Sequence, residues 1–263
     1  MEKKFLFICG CARSGTTALW RLMVSHPKIV LGVERYVLLG HQKWRGLTPE
    51  LFEKEKFFDL QPRETFYKSL SAHSYYEKAR ERFDDATWIG DKIPHLFQKY
   101  DEVEAAIPGA HYIFIVRNII DVAGSYQKRA ETGSWKAGRD YTRAVQDWRR
   151  SIQTTLRFTA KGDLKDRVHI ISYEELYLRP ADLRPLFAKL DLDLVPEVQA
   201  QYRRLTDKSV ELEKRRGDTL TSAKRHYIAL NAPFEAFRQI LQQRLVLSPL
   251  TPADSLSASA ASA

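Results

Sequence analysis

Five short runs of mostly apolar residues set the rhythm of this chain, at positions 5–9, 29–33, 87–90, 111–116 and 168–172. A run this short, without apolar–polar alternation, is what a strand buried on both faces looks like. After the first run, Leu19, Leu22 and Met23 fall at helical spacing until Pro27 ends the segment. Similar spacing predicts helices over about 49–58, 63–83, 96–106, 119–129, 141–161, 180–190, 196–205 and 234–247. Asn118 is a good N-cap for the helix beginning at 119, and Asp121, three residues on, can close a capping arrangement. Strands alternating with helices predict an α/β fold, a doubly wound parallel sheet flanked by helices.

Four stretches depart from that rhythm. Residues 36–86 hold no clear strand and many aromatics interleaved with Lys, Arg and Glu, and read as a helical insertion. Most of those rings pack on the sheet, and a few are candidates to line an acceptor pocket. Residues 128–140, with Gly133 and Gly138, read as a mobile loop, and 206–226 as basic and weakly periodic. Residues 248–263, rich in Ser and Ala, read as a disordered tail, which leaves one domain over 1–247.

Composition narrows the function. At 263 residues and 44% hydrophobic, the chain suits one domain with a substantial core rather than a membrane protein. A net charge of +9 and a pI near 9.4 suit an anionic ligand, and equally nucleic acid or an acidic membrane surface. The two cysteines, Cys9 and Cys11, are too close together to staple a fold, so a reducing compartment is expected. The start of the chain superficially imitates a signal peptide, but cleavage there would remove the first strand. No run approaches the roughly 18 apolar residues of a membrane span. A soluble, cytoplasmic protein is expected.

In doubly wound sheets ligands bind beyond the carboxyl ends of the strands. Arg13, Glu34, Lys92, Arg117 and Tyr173 each follow a different predicted strand. The loop from Gly10 to Gly15 joins strand to helix, and such a loop cradles phosphate: its amides and the helix N-terminus supply partial positive charge. Its glycines are spaced as in the ATP and GTP loop G-x-x-x-x-G-K-[ST], but Thr16 stands where the lysine belongs and Arg13 lies inside the loop.

Arg13-Ser14-Gly15-Thr16-Thr17 after a strand resembles the 5′-phosphosulfate loop of sulfotransferases that use 3′-phosphoadenosine 5′-phosphosulfate (PAPS). The arginine form is most similar to tyrosylprotein sulfotransferases and their bacterial relatives; cytosolic sulfotransferases usually carry lysine at the position of Arg13. Arg117, Ser125 eight residues later and Arg129 four beyond resemble the family's 3′-phosphate motif. Ser125 and Arg129 share one helix face, and arginine's fork can grip phosphate through two hydrogen bonds. The resemblance covers about residues 5–227. It implies a sulfotransferase that moves a sulfuryl group from PAPS to a hydroxyl or amine acceptor, releasing 3′,5′-ADP without a metal. The family's tyrosylprotein enzymes carry a membrane anchor, and none is expected here.

Roles for further residues come from the same resemblance. Glu34 lies 21 residues after Arg13, the separation of the catalytic base from the loop arginine in the tyrosylprotein family. A salt bridge to Arg35 or another nearby arginine is the structural alternative for Glu34. His95 is the competing base, since histidine serves in the cytosolic enzymes. Lys92 in Lys-Ile-Pro resembles the lysine that neutralises charge on the bridging oxygen. Tyr173 resembles an adenine contact, Arg215-Arg216-Gly217 the late segment that seals the 3′-phosphate, and 224–227 the basic-aromatic stretch beyond it.

Two other readings stay open on the residues alone. A P-loop kinase or NTPase with a degenerate loop would want the missing lysine and an Asp placed for Mg²⁺. A non-enzymatic nucleic-acid-binding protein would want its basic residues on one surface with stacking aromatics. Here they group by strand end, so neither nucleic acid nor membrane is the expected partner.

Overall fold

Strand β1 (Lys4–Cys9) lies at the middle of a five-stranded parallel sheet, with β3 (Trp88–Lys92) on one side and β4 (His111–Val116) on the other. Strands β2 (Ile29–Val33) and β5 (Val168–Ser172) complete the order β2-β3-β1-β4-β5. The computed structural model describes residues 3–40, 46–61, 64–65, 70–135, 138–214 and 219–250.

The two-sided burial that makes the runs apolar is visible in how β1 divides. Leu6 and Ile8 join one core and Phe7 and Cys9 the other, since successive side chains point to opposite faces. Helices α1 (Thr16–Met23), α8 (Tyr173–Tyr177), α9 (Arg184–Ala188) and α10 (Pro196–Lys214) contribute to the Leu6 core. The other core draws on α2 (Lys54–Phe58), α3 (Leu70–Glu81), α4 (Tyr100–Ala106), α5 (Ile119–Glu131), α6 (Tyr141–Thr159), α7 (Leu164–Arg167), α11 (Ser222–Asn231) and α12 (Phe234–Gln242).

Within the insertion, the helix expected over 49–58 is split. A 3₁₀ turn, Pro49–Phe52, is separated from α2 by Glu53, whose extended backbone (φ −65°, ψ 145°) starts a new helix. Phe52 packs edge-on against Phe5 and Phe7 at 5.6 and 5.7 Å, so this ring belongs to the core. Of the helix expected over 63–83, α3 lies among the described residues. Its Tyr75 and Tyr76 hydroxyls meet the unpaired main chain of edge strand β2. The Leu31 amide donates to Tyr75 Oη and the Val33 amide to Tyr76 Oη, each at 3.1 Å. A covered edge cannot pair with another chain.

Other boundaries move for identifiable reasons. Strand β3 runs on through Asp91 and Lys92, both buried, past the expected end at residue 90. A 3₁₀ segment, Pro94–Lys99, precedes α4, so the helix expected over 96–106 also divides. Asn118 caps α5, its Oδ1 accepting from the Ile120 amide, but among the described residues the Asn118 amide makes no return bond to Asp121. The Asn118 amide donates instead to Glu174 Oε1 at 2.8 Å. Helix α10 continues nine residues past the expected 205, with Ser209 still on its buried side. Conversely, α9 and α12 are shorter than their spacing predicts. Residues 248–250, assigned above to the tail, pair with 180–182: the Asp182 amide donates to the Ser248 carbonyl at 2.8 Å and the Leu250 amide to Pro180 at 3.0 Å. The rest of that tail lies outside the described residues.

Candidate active site

The loop between β1 and α1 holds two residues that must be glycine. Gly10 has φ +154°, and a Cβ there would stand 2.4 Å from the Ile115 carbonyl oxygen of β4. Gly15 has φ +99°, and its Cβ would meet the Tyr173 ring at 2.5 Å. Between them Arg13 is left-handed at φ +70°, a conformation that costs a non-glycine residue about 1–2 kcal/mol. No side chain caps α1, so its first amides are free to meet an anion. Ser14 Oγ is fully buried and has no hydrogen-bond partner among the described residues.

Three arginines converge on this loop. Arg13 Nε donates to Ser125 Oγ at 3.0 Å, joining the loop to α5. Burial, then the positive charge of Arg129, then that of Arg117 lower the Arg13 pKa, with Tyr126 opposing them. Arg117, buried at the end of β4, lies 3.8 Å from the centroid of the Tyr173 ring. Its charge is shared with Asp121 at 3.5 Å and with Glu213, near the end of α10, at 3.7 Å. Among the described residues Arg117 Nε makes no well-directed hydrogen bond, although the Asp121 carboxylate stands 3.5 Å away. Arg129 lies 5.4 Å from the Trp135 ring. Such a concentration of guanidinium groups repels itself unless an anion joins it.

A second group sits where β2 and β3 end side by side. Register places Val33 opposite Lys92, so Glu34 emerges next to the lysine. Lys92 Nζ lies 2.5 Å from Glu34 Oε1 and 3.4 Å from Thr17 Oγ1 on α1. The Lys92 side chain is 1% exposed and that of Glu34 34%, so the carboxylate faces the opening and the ammonium lies behind it. Arg35, the structural alternative as partner for Glu34, points elsewhere. Its buried guanidinium pairs with Glu64 and donates to the carbonyls of Phe57, Lys56 and Asp59. Glu34 itself has φ +57°. The next two amides, of Arg35 and Tyr36, donate to Asp91 Oδ1 and Oδ2 at 3.1 and 2.8 Å. Burial pushes the Asp91 carboxyl up to about 6, against the pull of those two amides and of Lys92.

The structure thus brings Arg13 together with Ser125, Arg117 and Arg129, and Glu34 together with Lys92 and Thr17. Thr16 is buried at the start of α1 while Thr17 is exposed. His95 stands in the 3₁₀ segment after β3, half-buried and 5.7 Å from Phe97. Tyr173 is almost wholly buried beneath Arg117 and against Gly15, which makes its ring a floor for the arginine. Arg215, Arg216 and Gly217 lie outside the described residues. Just beyond them a cavity of about 470 Å³ opens between Glu131 of α5 and residues 219–225, with Lys224 and Arg225 in its wall.

Sequence reasoning missed Asp91, Glu213 and Trp135. Asp91 carried a signal, a charged residue continuing an apolar run beside Lys92. Glu213 carried none, because its partner Arg117 is 96 residues away (213 − 117) on an element whose docking is not local, and Trp135, six residues after Arg129, fell in a stretch read as a loop.

A family model described as "Sulfotransferase family" matches residues 6–197, most of the chain. A protein-tyrosine sulfotransferase of Drosophila melanogaster is 25% identical over 194 residues, which is 73% of this chain and 38% of the relative, so the chain spans well under half of that protein. Among solved structures, a sulfotransferase domain from the curacin biosynthetic pathway is similar over 100% of this chain and 98% of its own, with TM-score 0.52 and 19% identity. The sulfotransferase domain of the Synechococcus PCC 7002 olefin synthase is similar over 99% and 95%, with TM-score 0.50 and 19% identity.

Proposed function

The chain belongs to the sulfotransferase family, and from that premise we propose that it transfers a sulfuryl group from PAPS to a hydroxyl or amine acceptor. The observation that carries the reading is the Glu34–Lys92–Thr17 chain at the mouth of a phosphate-type loop, beside the cluster of Arg13, Arg117 and Arg129. Ser14 Oγ and Arg117 Nε, buried and without a hydrogen bond among the described residues, fit a phosphate-bearing ligand, as does the glycine-built loop. When bound, the nucleotide supplies the sulfuryl group and leaves as 3′,5′-ADP.

The chain's own residues divide the work. Arg117, Ser125 and Arg129 hold the 3′-phosphate, and the loop amides with Ser14, Gly15, Thr16 and Thr17 hold the 5′ end. Glu34 takes the acceptor's proton as the new oxygen–sulfur bond forms and the sulfur–oxygen bond to the phosphate breaks. Lys92 and Arg13 face the charge that grows on the departing phosphate, and groups aimed at developing charge favour the transition state. Because Lys92 pairs with Glu34 in the free protein, it also keeps the base turned toward the acceptor side.

Retention on immobilised 3′,5′-ADP, competed by PAPS but not by ATP or DNA and unaltered by EDTA, tests the donor. Loss of binding in EDTA would instead support a nucleoside triphosphatase. A phenolic hydroxyl, suggested by the Drosophila relative's name, is the first acceptor to try. Glu34→Gln should then lower turnover by about 100- to 10,000-fold with little change in 3′,5′-ADP affinity. His95→Ala should cost much less; a normal Glu34→Gln enzyme beside an inactive His95 variant refutes Glu34 as the base.

A further inference from the structure

We infer that Asp91 is a positioning residue for the transfer: its two carboxylate oxygens hold the strained turn that presents Glu34 to Lys92 and the acceptor. The inference rests on the reading of Glu34 as the base.

The turn is expensive in three respects. Glu34 is left-handed at φ +57°, a backbone state that persists in a non-glycine residue only where its surroundings over-determine it. Asp91 is a fully buried carboxylate, and removing such a charge from water is costly unless it is hydrogen-bonded. Finally, residue 32 can carry no side chain: a Cβ there would lie 2.6 Å from Arg35 Cβ and 2.8 Å from Asp91 Oδ1.

The bonds that compensate all converge on the residues around Glu34. Asp91 takes the Arg35 amide on one oxygen and the Tyr36 amide on the other, at 3.1 and 2.8 Å. Thr65 Oγ1 donates to the Glu34 carbonyl at 2.8 Å, and the Glu34 amide donates to the Lys92 carbonyl at 2.9 Å. Turn and lysine are therefore tied to the same two residues of β3. Asp91 pairs in register with Gly32 and Lys92 with Val33. Adjacent strand residues point to opposite faces, so Lys92 reaches Thr17 on α1 while Asp91 reaches the amides beyond Glu34. One dipeptide thus sets both the cation and the direction of the base.

The test is Asp91→Asn, which keeps the shape but turns an N–H donor toward one of the two amides. Turnover should fall roughly 10- to 100-fold, the scale of misplacing a reacting group by about 1 Å. The dissociation constant for 3′,5′-ADP should stay within about twofold, because the arginine cluster is untouched. In a Glu34→Gln background the same substitution should change turnover by less than about twofold, since the group it positions has been removed. Equal losses in both backgrounds, an unchanged single variant, or a matching loss of nucleotide affinity would overturn the inference. Gly32→Ala, which presses on the same carboxylate, should give the same pattern if Asp91→Asn does not fold. A crystal structure of the variant that folds separates this idea from the base assignment. With Glu34→Gln itself near normal, the base reading fails. Glu34 leaving the left-handed region still supports the clamp, and Glu34 keeping φ near +57° overturns it.

Discussion

Replacing Glu213 with glutamine should tighten nucleotide binding, an unusual direction for a substitution beside a ligand site. Glu213 Oε2 stands 3.7 Å from Arg117 Nη2, in the position of a competitor for the phosphate that Arg117 is proposed to hold. The Glu213 side chain is 39% exposed, so solvent screens the pair and its worth falls in the surface range of about 0.2–1 kcal/mol. Removing the carboxylate's charge returns that amount to the phosphate, a gain of about 1.4- to 5-fold in affinity for 3′,5′-ADP. Asp121, 3.5 Å from Arg117 Nε, still orients the guanidinium in the variant. Arg117→Ala sets the scale from the other side: losing a hydrogen bond to a charged group costs about 1.5–3 kcal/mol, or roughly 10- to 150-fold in affinity. Calorimetric titration of both variants at low and high salt is the assay, and the Glu213 effect should shrink as salt rises. Unchanged or weaker binding by Glu213→Gln would refute the idea that phosphate and carboxylate compete for Arg117. If both variants weakened binding, the ion pair would be organising the site rather than occupying it.

Lys92→Met keeps the volume of a buried side chain and removes its charge; with Arg13→Ala, it should slow single-turnover transfer by about 100- to 1000-fold while binding changes much less. A change confined to the Michaelis constant would make the residue a binding contact only. His169 offers a stability test remote from this chemistry. Burial, helped by the neighbouring His111 and Lys189 charges, lowers its pKa to about 4, from an ordinary value near 6.5. The unfolded chain therefore takes up a proton near pH 6.5 and the folded chain only near 4, so stability falls as pH drops through that window, by about 3 kcal/mol in all. Urea denaturation from pH 7 to 4.5 should show a shallower acid loss in His169→Gln than in the parent, and parallel curves would refute the assignment. Comparison with the parent matters because Asp91, raised to about 6, contributes the opposite slope between its ordinary range and that value.

Most of the frame was legible locally. Strands β2, β4 and β5 begin and end where their mostly apolar runs do, because a parallel strand buried on both faces is apolar at most of its positions. The glycines at 10 and 15 marked the loop, and the structure supplies their reason in the Ile115 carbonyl and the Tyr173 ring. Placement of Arg13, Glu34 and Arg117 beyond strand ends followed from the run boundaries alone, whereas Lys92 is the last residue of β3 itself. Helix α10 runs past its apolar spacing because its buried face beyond Leu205 is marked by Ser209, a residue that carries little periodic signal.

Partnership was not legible. Read locally, Glu34 has Arg35 beside it, yet Arg35 is committed to Glu64 and three carbonyls of the insertion, and Glu34 pairs with Lys92, 58 residues on. That choice depends on β3 sliding between β2 and β1 in a register that sets Lys92 beside Val33. The Arg13–Ser125 bond, 112 residues apart, depends likewise on β4 flanking β1 on its other side. Periodicity along a chain records which face of an element is buried, whereas a charge's partner is decided by which elements become neighbours and in what register. The sequence alone determined the sheet, the phosphate loop and the kinds of residue at the strand ends. Only the tertiary structure decided which of those residues meet, because Coulomb and hydrogen-bond energies act over a few ångströms that strand pairing alone brings about.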